Sequence, residues 1–189
     1  MTYRIRMKAC HFTAALALVG ALALVPGWTP AYGDSAQMTK LLREASMSAT
    51  QLKNDSVEME TYVRSQLQWQ THARQVNRIK EHVNNSGKIL ANLHEARDTA
   101  EPWQQEAIDR ITPLLQELAS NTTSIIDHLN DKQQTWHPEY ESYLKSNAQV
   151  ATDLSNLIRD YLDYGEAKSK SESLGKTLGF SPSQGASAE

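Results

Sequence analysis

Cysteine is almost absent from this chain of 189 residues, in which Cys10 is the only one. A single thiol cannot form an intramolecular disulfide or supply the thiolates of a structural zinc site. Cys10 also precedes the one long apolar run of the sequence, whereas the cysteine of a lipoprotein would follow such a run. Disulfides, thiolate metal sites and covalent c-type haem attachment are therefore not expected.

Glycine and proline are scarce between residues 35 and 164, where the only ones are Gly87, Pro102, Pro113 and Pro138. All-β and α/β folds need frequent turns and runs of β-branched residues, which this region lacks. Gln, Glu, Ala, Leu, Ser and Asn dominate it instead. The sequence therefore predicts an all-α fold.

Basic residues are the minority charge, with 19 Lys and Arg against 22 Asp and Glu. Three of the basic residues lie among the first eight positions, so residues 34–189 carry 16 basic and 22 acidic residues, a net charge of −6. Nucleic acids and anionic membranes are bound by clustered Lys and Arg. No nucleic-acid partner is therefore expected.

The first 33 residues have the order of a secretory signal peptide. Basic residues at positions 4–8 precede an apolar run at 12–25, and Ala31-Tyr32-Gly33 offers small residues at the positions that a signal peptidase reads. The run has fourteen residues, fewer than the roughly twenty that cross a bilayer. We predict that residues 1–33 are cleaved, which would leave no membrane span, and that the protein is periplasmic or secreted. An uncleaved N-terminal anchor is the alternative.

Four helices are predicted in one helical bundle domain at residues 34–168. The predicted spans are 35–53, 57–97, 101–133 and 137–168. Asn54-Asp55-Ser56 is expected to end the first helix, because such side chains compete with helical hydrogen bonds. One continuous helix through these residues is the alternative. The second helix would be a rod of roughly 60 Å at 1.5 Å per residue.

Apolar residues recur alternately three and four apart along the three long helices, which is the heptad spacing of a coiled coil. The stripe of the second helix is Trp69, His72, Val76, Ile79, Val83, Ser86, Leu90 and Leu93. That of the third is Ile108, Ile111, Leu115, Leu118, Thr122, Ile125 and Leu129. That of the fourth is Tyr140, Leu144, Asn147, Ala151, Leu154, Ile158 and Tyr161.

Short connections force neighbouring helices to run antiparallel. We therefore predict an elongated up-and-down antiparallel bundle with coiled-coil-like seams, built from three long helices plus a shorter N-terminal helix. Residues 169–189 are rich in Ser, Gly and Lys, and their apolar surface is too small to offset the entropy of ordering. We predict that these residues form a flexible low-complexity tail.

His72 and His128 are the candidate metal ligands. In a hairpin that turns near Thr99 they come to about half a turn from each other, and Glu139 or Glu141 would be the third ligand. The Glu-x-x-His pairs that mark metal sites in helical bundles are missing. A structural role for both histidines is therefore the preferred interpretation, and no metal or other cofactor is predicted.

Haem ligation and catalysis have no support either. Met38, Met47 and Met59 all lie in the N-terminal part of the predicted bundle, where methionine typically fills gaps in a core. The Gly-x-Ser-x-Gly nucleophile elbow is missing, and the acidic pairs lie on faces predicted to be solvated. We therefore predict that the protein is not an enzyme.

One part of the chain resembles a known group of proteins. The segment 81–132 contains Trp103-Gln104-Gln105, Ile108-Asp109-Arg110, Pro113-Leu114-Leu115 and Leu118-Ala119-Ser120-Asn121. It is similar to an uncharacterised family of exported all-helical proteins of soil bacteria, acidobacteria in particular. The resemblance covers about a third of the chain. It implies a periplasmic or secreted bacterial protein, and it implies no activity and no site residues.

Polar residues interrupt the stripes, and they favour interaction over chemistry. They are Ser65, His72, Ser86, Thr122 and Asn147. Polar positions in a seam cost stability but fix register or partner choice. We expect a non-enzymatic module that binds another protein or the cell envelope, with self-association of its seams as one form. A periplasmic sensor or carrier that holds a small ligand, metal or haem within the bundle is the alternative.

Overall fold

The structure of the protein is a computed structural model, which describes residues 33–65 and 67–180. Four long helices account for most of this part of the chain, and it contains no strand. They are α1 (Gly33–Thr61), α2 (Trp69–Glu95), α3 (Pro102–Asp131) and α4 (Pro138–Leu178). Short 3₁₀ turns at Tyr62–Arg64 and Arg97–Thr99 precede α2 and α3. The signal-peptide prediction concerns residues 1–33 and lies, except for Gly33, outside the described residues.

The four helices form a closed ring in which each helix packs against two neighbours. Hydrogen bonds show the directions of the helices. Ser48 of α1 pairs with Ser86 of α2. Thr50 and Ser56 of α1 pair with Ser155 and Asn147 of α4, so the later residue of α1 meets the earlier residue of α4. Every neighbouring pair is antiparallel. The predicted all-α, up-and-down antiparallel bundle is confirmed. The prediction that the N-terminal helix is the shorter one is wrong, because α1 has 29 residues against 27 in α2 and is a full member of the ring.

The core consists of the predicted heptad stripes. All seven stripe residues of α3 are buried, and in α2 only Trp69 and Leu90 remain partly exposed. Met38, Leu42, Ala45, Ala49, Leu52 and Met59 of α1 complete the core. Within the described residues, no helix is both long and apolar enough to cross a membrane.

The boundary between the first two helices differs from the prediction. α1 continues through Asn54-Asp55-Ser56 to Thr61, and α2 begins only at Trp69. The expected stop fails because these side chains have partners on other helices: Asp55 lies 3.1 Å from His82 of α2, and Ser56 bonds to Asn147 of α4. α2 therefore has 27 residues and is about 40 Å long, which corrects the predicted rod of roughly 60 Å.

The last helix is longer than predicted. α4 continues past residue 168 to Leu178, so ten residues assigned to the flexible tail belong to the helix. Gly179 stops it in the left-handed conformation, with φ of 72°, which glycine adopts without strain. The amide of Phe180 donates to the carbonyl of Gly175. Residues 169–178 are exposed, except for the half-buried Gly175. Residues 181–189 lie outside the described part.

Candidate functional site

His72 is completely buried at the end of the bundle where α1 ends, α2 begins, α3 ends and α4 begins. We call this end the His72 end. The imidazole Nδ1 lies 2.9 Å from the hydroxyl oxygen of Tyr140 in α4. The ring of Tyr62 meets His72 edge-on at a centroid distance of 5.6 Å. The other ring nitrogen, Nε2, is buried and has no hydrogen-bond partner in the part of the chain that the structure describes.

Burial sets the protonation state of this pair. It lowers the pKa of His72 to about 4, because a buried imidazolium ion loses its hydration. It raises the pKa of the Tyr140 hydroxyl well above its usual value for the same reason. At neutral pH both groups are therefore uncharged, and one neutral hydrogen bond joins them.

His128 adjoins the same tyrosine from α3. Its ring centroid lies 5.1 Å from that of Tyr140 and 5.7 Å from that of His137. Its Nε2 lies 2.8 Å from the carbonyl oxygen of Gln134, which ties the α3–α4 connection to the helix. The structure thus brings both candidate metal ligands, His72 and His128, to Tyr140.

The expected third metal ligands are engaged elsewhere. Glu139 accepts hydrogen bonds from Lys132 and Tyr143, and Glu141 pairs with Lys145. In residues 33–65 and 67–180, no three His, Cys, Asp or Glu side chains are arranged to hold a metal ion. His72 and His128 therefore share an aromatic cluster in the structure and form no candidate metal centre there.

A second polar layer lies deeper in the bundle. The amide of Asn147 donates to the hydroxyl of Ser56 at 3.1 Å and accepts from Thr122 at 3.4 Å, so that it joins α4 to α1 and α3. All three side chains are at most 2% exposed. Of the polar residues that the sequence singled out, His72, Ser86, Thr122 and Asn147 have partners within this bundle, and Ser65 is exposed in a turn. These bonds specify register between helices of one chain.

Asp55 of α1 forms a charged cluster that sequence reasoning missed. Its Oδ2 lies 3.1 Å from Nε2 of His82, a close contact that lacks the angle of a hydrogen bond. Arg78 approaches Oδ1 at 3.7 Å. His82 and Arg78 are one turn apart on α2, and this spacing is the signal that would have revealed a shared acidic partner.

At the opposite end of the bundle, which we call the Trp103 end, Glu101 connects α3 to α4. The Glu101 carboxylate accepts from the indole of Trp103 at 3.1 Å and from Lys168 of α4 at 2.6 Å. Glu101 and Gln104 also form a capping box at the start of α3. The ring of Trp103 packs on Gly165 and meets Tyr164 edge-on at 6.0 Å. These contacts fix α4 where it leaves the bundle.

Beyond this point α4 carries a stripe of exposed residues, three of them large and apolar, that no helix within residues 33–65 and 67–180 covers. Tyr164, Leu174 and Leu178 are 55%, 53% and 66% exposed. With Ala167 and Ser171, which are also exposed, they repeat alternately three and four residues apart. We call these five residues the distal α4 stripe. Sequence reasoning missed it because residues 169–178 were assigned to a tail, although the spacing was visible.

A small void lies within the bundle. This void of about 10 Å³ is lined from all four helices, by Ala45, Ser86, Ile111 and Leu154 among others. It has room for at most one water molecule. A shallow groove of about 470 Å³ runs outside between α1 and α4, along Val57, Glu60, Lys145 and Thr152. Of the methionines considered for haem, Met38 and Met59 are buried and Met47 is exposed.

Comparison with known proteins gives no relative: no protein-family model matches the chain, and neither a curated protein nor a solved structure is significantly similar to it.

Proposed function

We propose that this protein is an exported, non-enzymatic module that binds a helix of another protein. The distal α4 stripe is the observation that carries the proposal. Tyr164, Leu174 and Leu178 expose apolar surface along one face of α4, with the two leucines one turn apart, and exposed apolar side chains aligned on a folded surface are typical of contact sites. Heptad spacing is the pattern by which one helix packs along another. The partner that fits the stripe is therefore an amphipathic helix.

The charges beside the stripe select the kind of helix. When Tyr164 and Leu178 take position a of the heptad, Lys168 takes position e and Lys170 takes position g, where charges choose coiled-coil partners. Lys168 is already paired with Glu101 and Glu172, so Lys170 contributes most to recognition. A partner helix with acidic residues beside its own apolar stripe is complementary to this surface.

The base of the stripe is rigid, which favours binding. Trp103 and Glu101 hold α4 at Gly165 and Lys168, and Gly179 caps the helix at its far end. A helix that is already formed loses less conformational entropy on binding than a segment that must fold first. The stripe from Tyr164 to Leu178 spans about 21 Å at 1.5 Å per residue, which is suited to a reversible contact.

A ligand carrier has less support than a helix-binding module. The void within the bundle is about 10 Å³, far below the roughly 300 Å³ or more of a small-molecule site. The buried polar side chains of the Asn147 layer bond to one another. The described surface offers exposed apolar side chains instead.

Export is part of this proposal, supported by the order of basic, apolar and small residues in positions 1–33. The membership in a soil-bacterial family remains a prediction. Mass spectrometry of the protein from fractionated cells tests export directly. A mature N-terminus at Asp34 in the periplasm or medium is the expected result, and a full-length chain retained in the cytoplasm would refute it.

Binding is tested with a synthetic peptide of heptads that carry Leu at a and d and Glu at e and g. We expect saturable binding by calorimetry, and a loss of at least tenfold in the L174S/L178S variant, because each buried leucine contributes roughly 1.5–3 kcal/mol. Met47→Ser, which alters an exposed apolar residue on α1, is the matched control and should bind normally.

Three results would overturn the proposal. One is the absence of binding, and another is equal binding by both variants. The third is a concentration-dependent dimer in sedimentation that L174S/L178S abolishes, because a second copy of the chain would then occupy the stripe.

A further inference from the structure

The imidazole of His72 is an ionisable group for whose charged form the described residues offer no charged partner. The titratable groups that face it are Tyr62 after α1, Tyr140 of α4 and, across the Tyr140 ring, His128 of α3. None of them is an acid that would pair with an imidazolium ion. Glu58 of α1 is engaged by the hydroxyl of Tyr62 at 2.9 Å. Nε2 of His72, which would carry the added proton or share it, has no acceptor.

The position of His72 on its helix adds to this cost. It is the fourth residue of α2, whose first turn contains no acidic residue and whose N-cap residue, Gln68, makes no capping bond with its side chain. The unpaired amide groups at a helix N-terminus carry a partial positive charge. A second positive charge inside this turn is repelled, so the start of α2 is the element most sensitive to protonation.

We propose that the first two turns of α2, Trp69–Val76, are an acid-released latch, which separates from α1, from α3 and from Tyr140 of α4 when His72 is protonated. Separation hydrates the imidazolium ion and breaks its bond to Tyr140. It also uncovers buried side chains of the His72 end, among them Ala73, Val76, Met59 and Tyr140. The protein would present this apolar surface in acid and hide it at neutral pH.

The direction of the pH dependence follows from linkage. His72 has a pKa of about 4 in the closed bundle and an ordinary value near 6.5 once the latch is open. The open state thus binds more protons between these values, so closure is fully stabilised above pH 6.5 and weakens as the pH falls towards 4. The equilibrium constant for opening should rise about tenfold for each unit by which the pH falls within this window.

Hydrogen exchange of the whole protein tests the latch. After correction for intrinsic exchange rates, amide protection in Trp69–Val76 should fall about fortyfold between pH 6.5 and 4.5. Protection around Trp103, at the other end of the bundle, should change far less. His72→Gln cannot be protonated and keeps an amide near Tyr140, so it should remove most of the fall. His94→Gln, which changes an exposed histidine of α2 bonded to Thr112, should leave the fall intact.

Two outcomes would overturn the proposal. One is an equal loss of protection in the His72→Gln variant, and the other is a simultaneous loss at both ends of the bundle. The NMR titration of His72 in the unaltered protein is an independent check, which does not depend on a variant that folds. An imidazole that titrates near pH 6.5 while the latch stays protected would exclude the mechanism.

Discussion

The ring of Trp103 lies so close to Gly165 that a β-carbon at residue 165 would stand 2.5 Å from it. At the start of α3 the Trp103 ring therefore contacts the backbone of α4 directly at Gly165, in the last turn of α4 that the bundle covers. Trp103 cannot retreat freely, because its indole nitrogen donates to Glu101. Glycine at this position permits the close approach that fixes the base of the distal α4 stripe.

Gly165→Ala should destabilise the protein by about 1–3 kcal/mol, the usual cost of overpacking a filled site. Gly87 is the matched control, since a β-carbon there would meet nothing within 4 Å. Gly87→Ala should stabilise the helix by roughly 0.5–1 kcal/mol. Urea unfolding followed by circular dichroism measures both. A Gly165→Ala variant as stable as Gly87→Ala would show that the ring shifts without cost.

Asn147→Ala should cost about 1–3 kcal/mol, because it leaves the buried hydroxyls of Ser56 and Thr122 without a partner. A double-mutant cycle with Ser56→Ala should give a coupling of at least about 0.5 kcal/mol. Asn121→Ala, which removes a partly exposed bond to Ser146, should cost less. Strictly additive effects of Asn147→Ala and Ser56→Ala would mean that this bond does not couple α1 to α4.

Tyr140→Phe should destabilise the bundle at pH 7 by about 1–3 kcal/mol, because both nitrogens of the buried His72 are then unpaired. Tyr143→Phe is the comparison, since its hydroxyl bonds to Glu139 at the exposed surface. It should have the smaller effect on the free energy of unfolding. The reverse order would show that the His72–Tyr140 bond contributes little.

Glu101→Ala should cost more stability than Asp109→Ala. The Glu101 carboxylate joins Trp103 and Lys168 and belongs to the capping box of α3, and loss of a cap alone costs about 1 kcal/mol. Asp109 forms a two-pronged pair with Arg97 at the exposed surface, which salt screens. Thermal unfolding at low and high salt compares them, and equal losses would contradict the ranking.

The heptad stripes and the fold class were predictable because a core needs a periodic apolar face, and spacing alone reveals it. The end of α1 was not predictable in the same way. Asp55 and Ser56 are poor residues for a helix interior, and only their partners His82 and Asn147, far away in sequence, keep them there.

The end of α4 differs from the prediction because the composition of residues 169–178 hides their helical spacing. Ser and Lys suggested a chain without structure, whereas Gly179 shows where the helix stops. Of the candidate site, the sequence identified His72 and His128 but not their common neighbour. From the sequence, Tyr140 is one more core residue. Its hydroxyl bonds to His72 only because of how α2 and α4 face each other, which the sequence does not show.

The pairing of α1 with α4 closes the ring, and it joins residues as far apart as Thr50 and Ser155. A ribosome delivers the chain from its N-terminus onward. α1, α2 and α3 thus emerge with their apolar stripes unfilled until Asn147 and its neighbours follow. We therefore expect folding of this bundle to be completed by α4, and a groove on the first three helices to stay exposed until α4 has emerged.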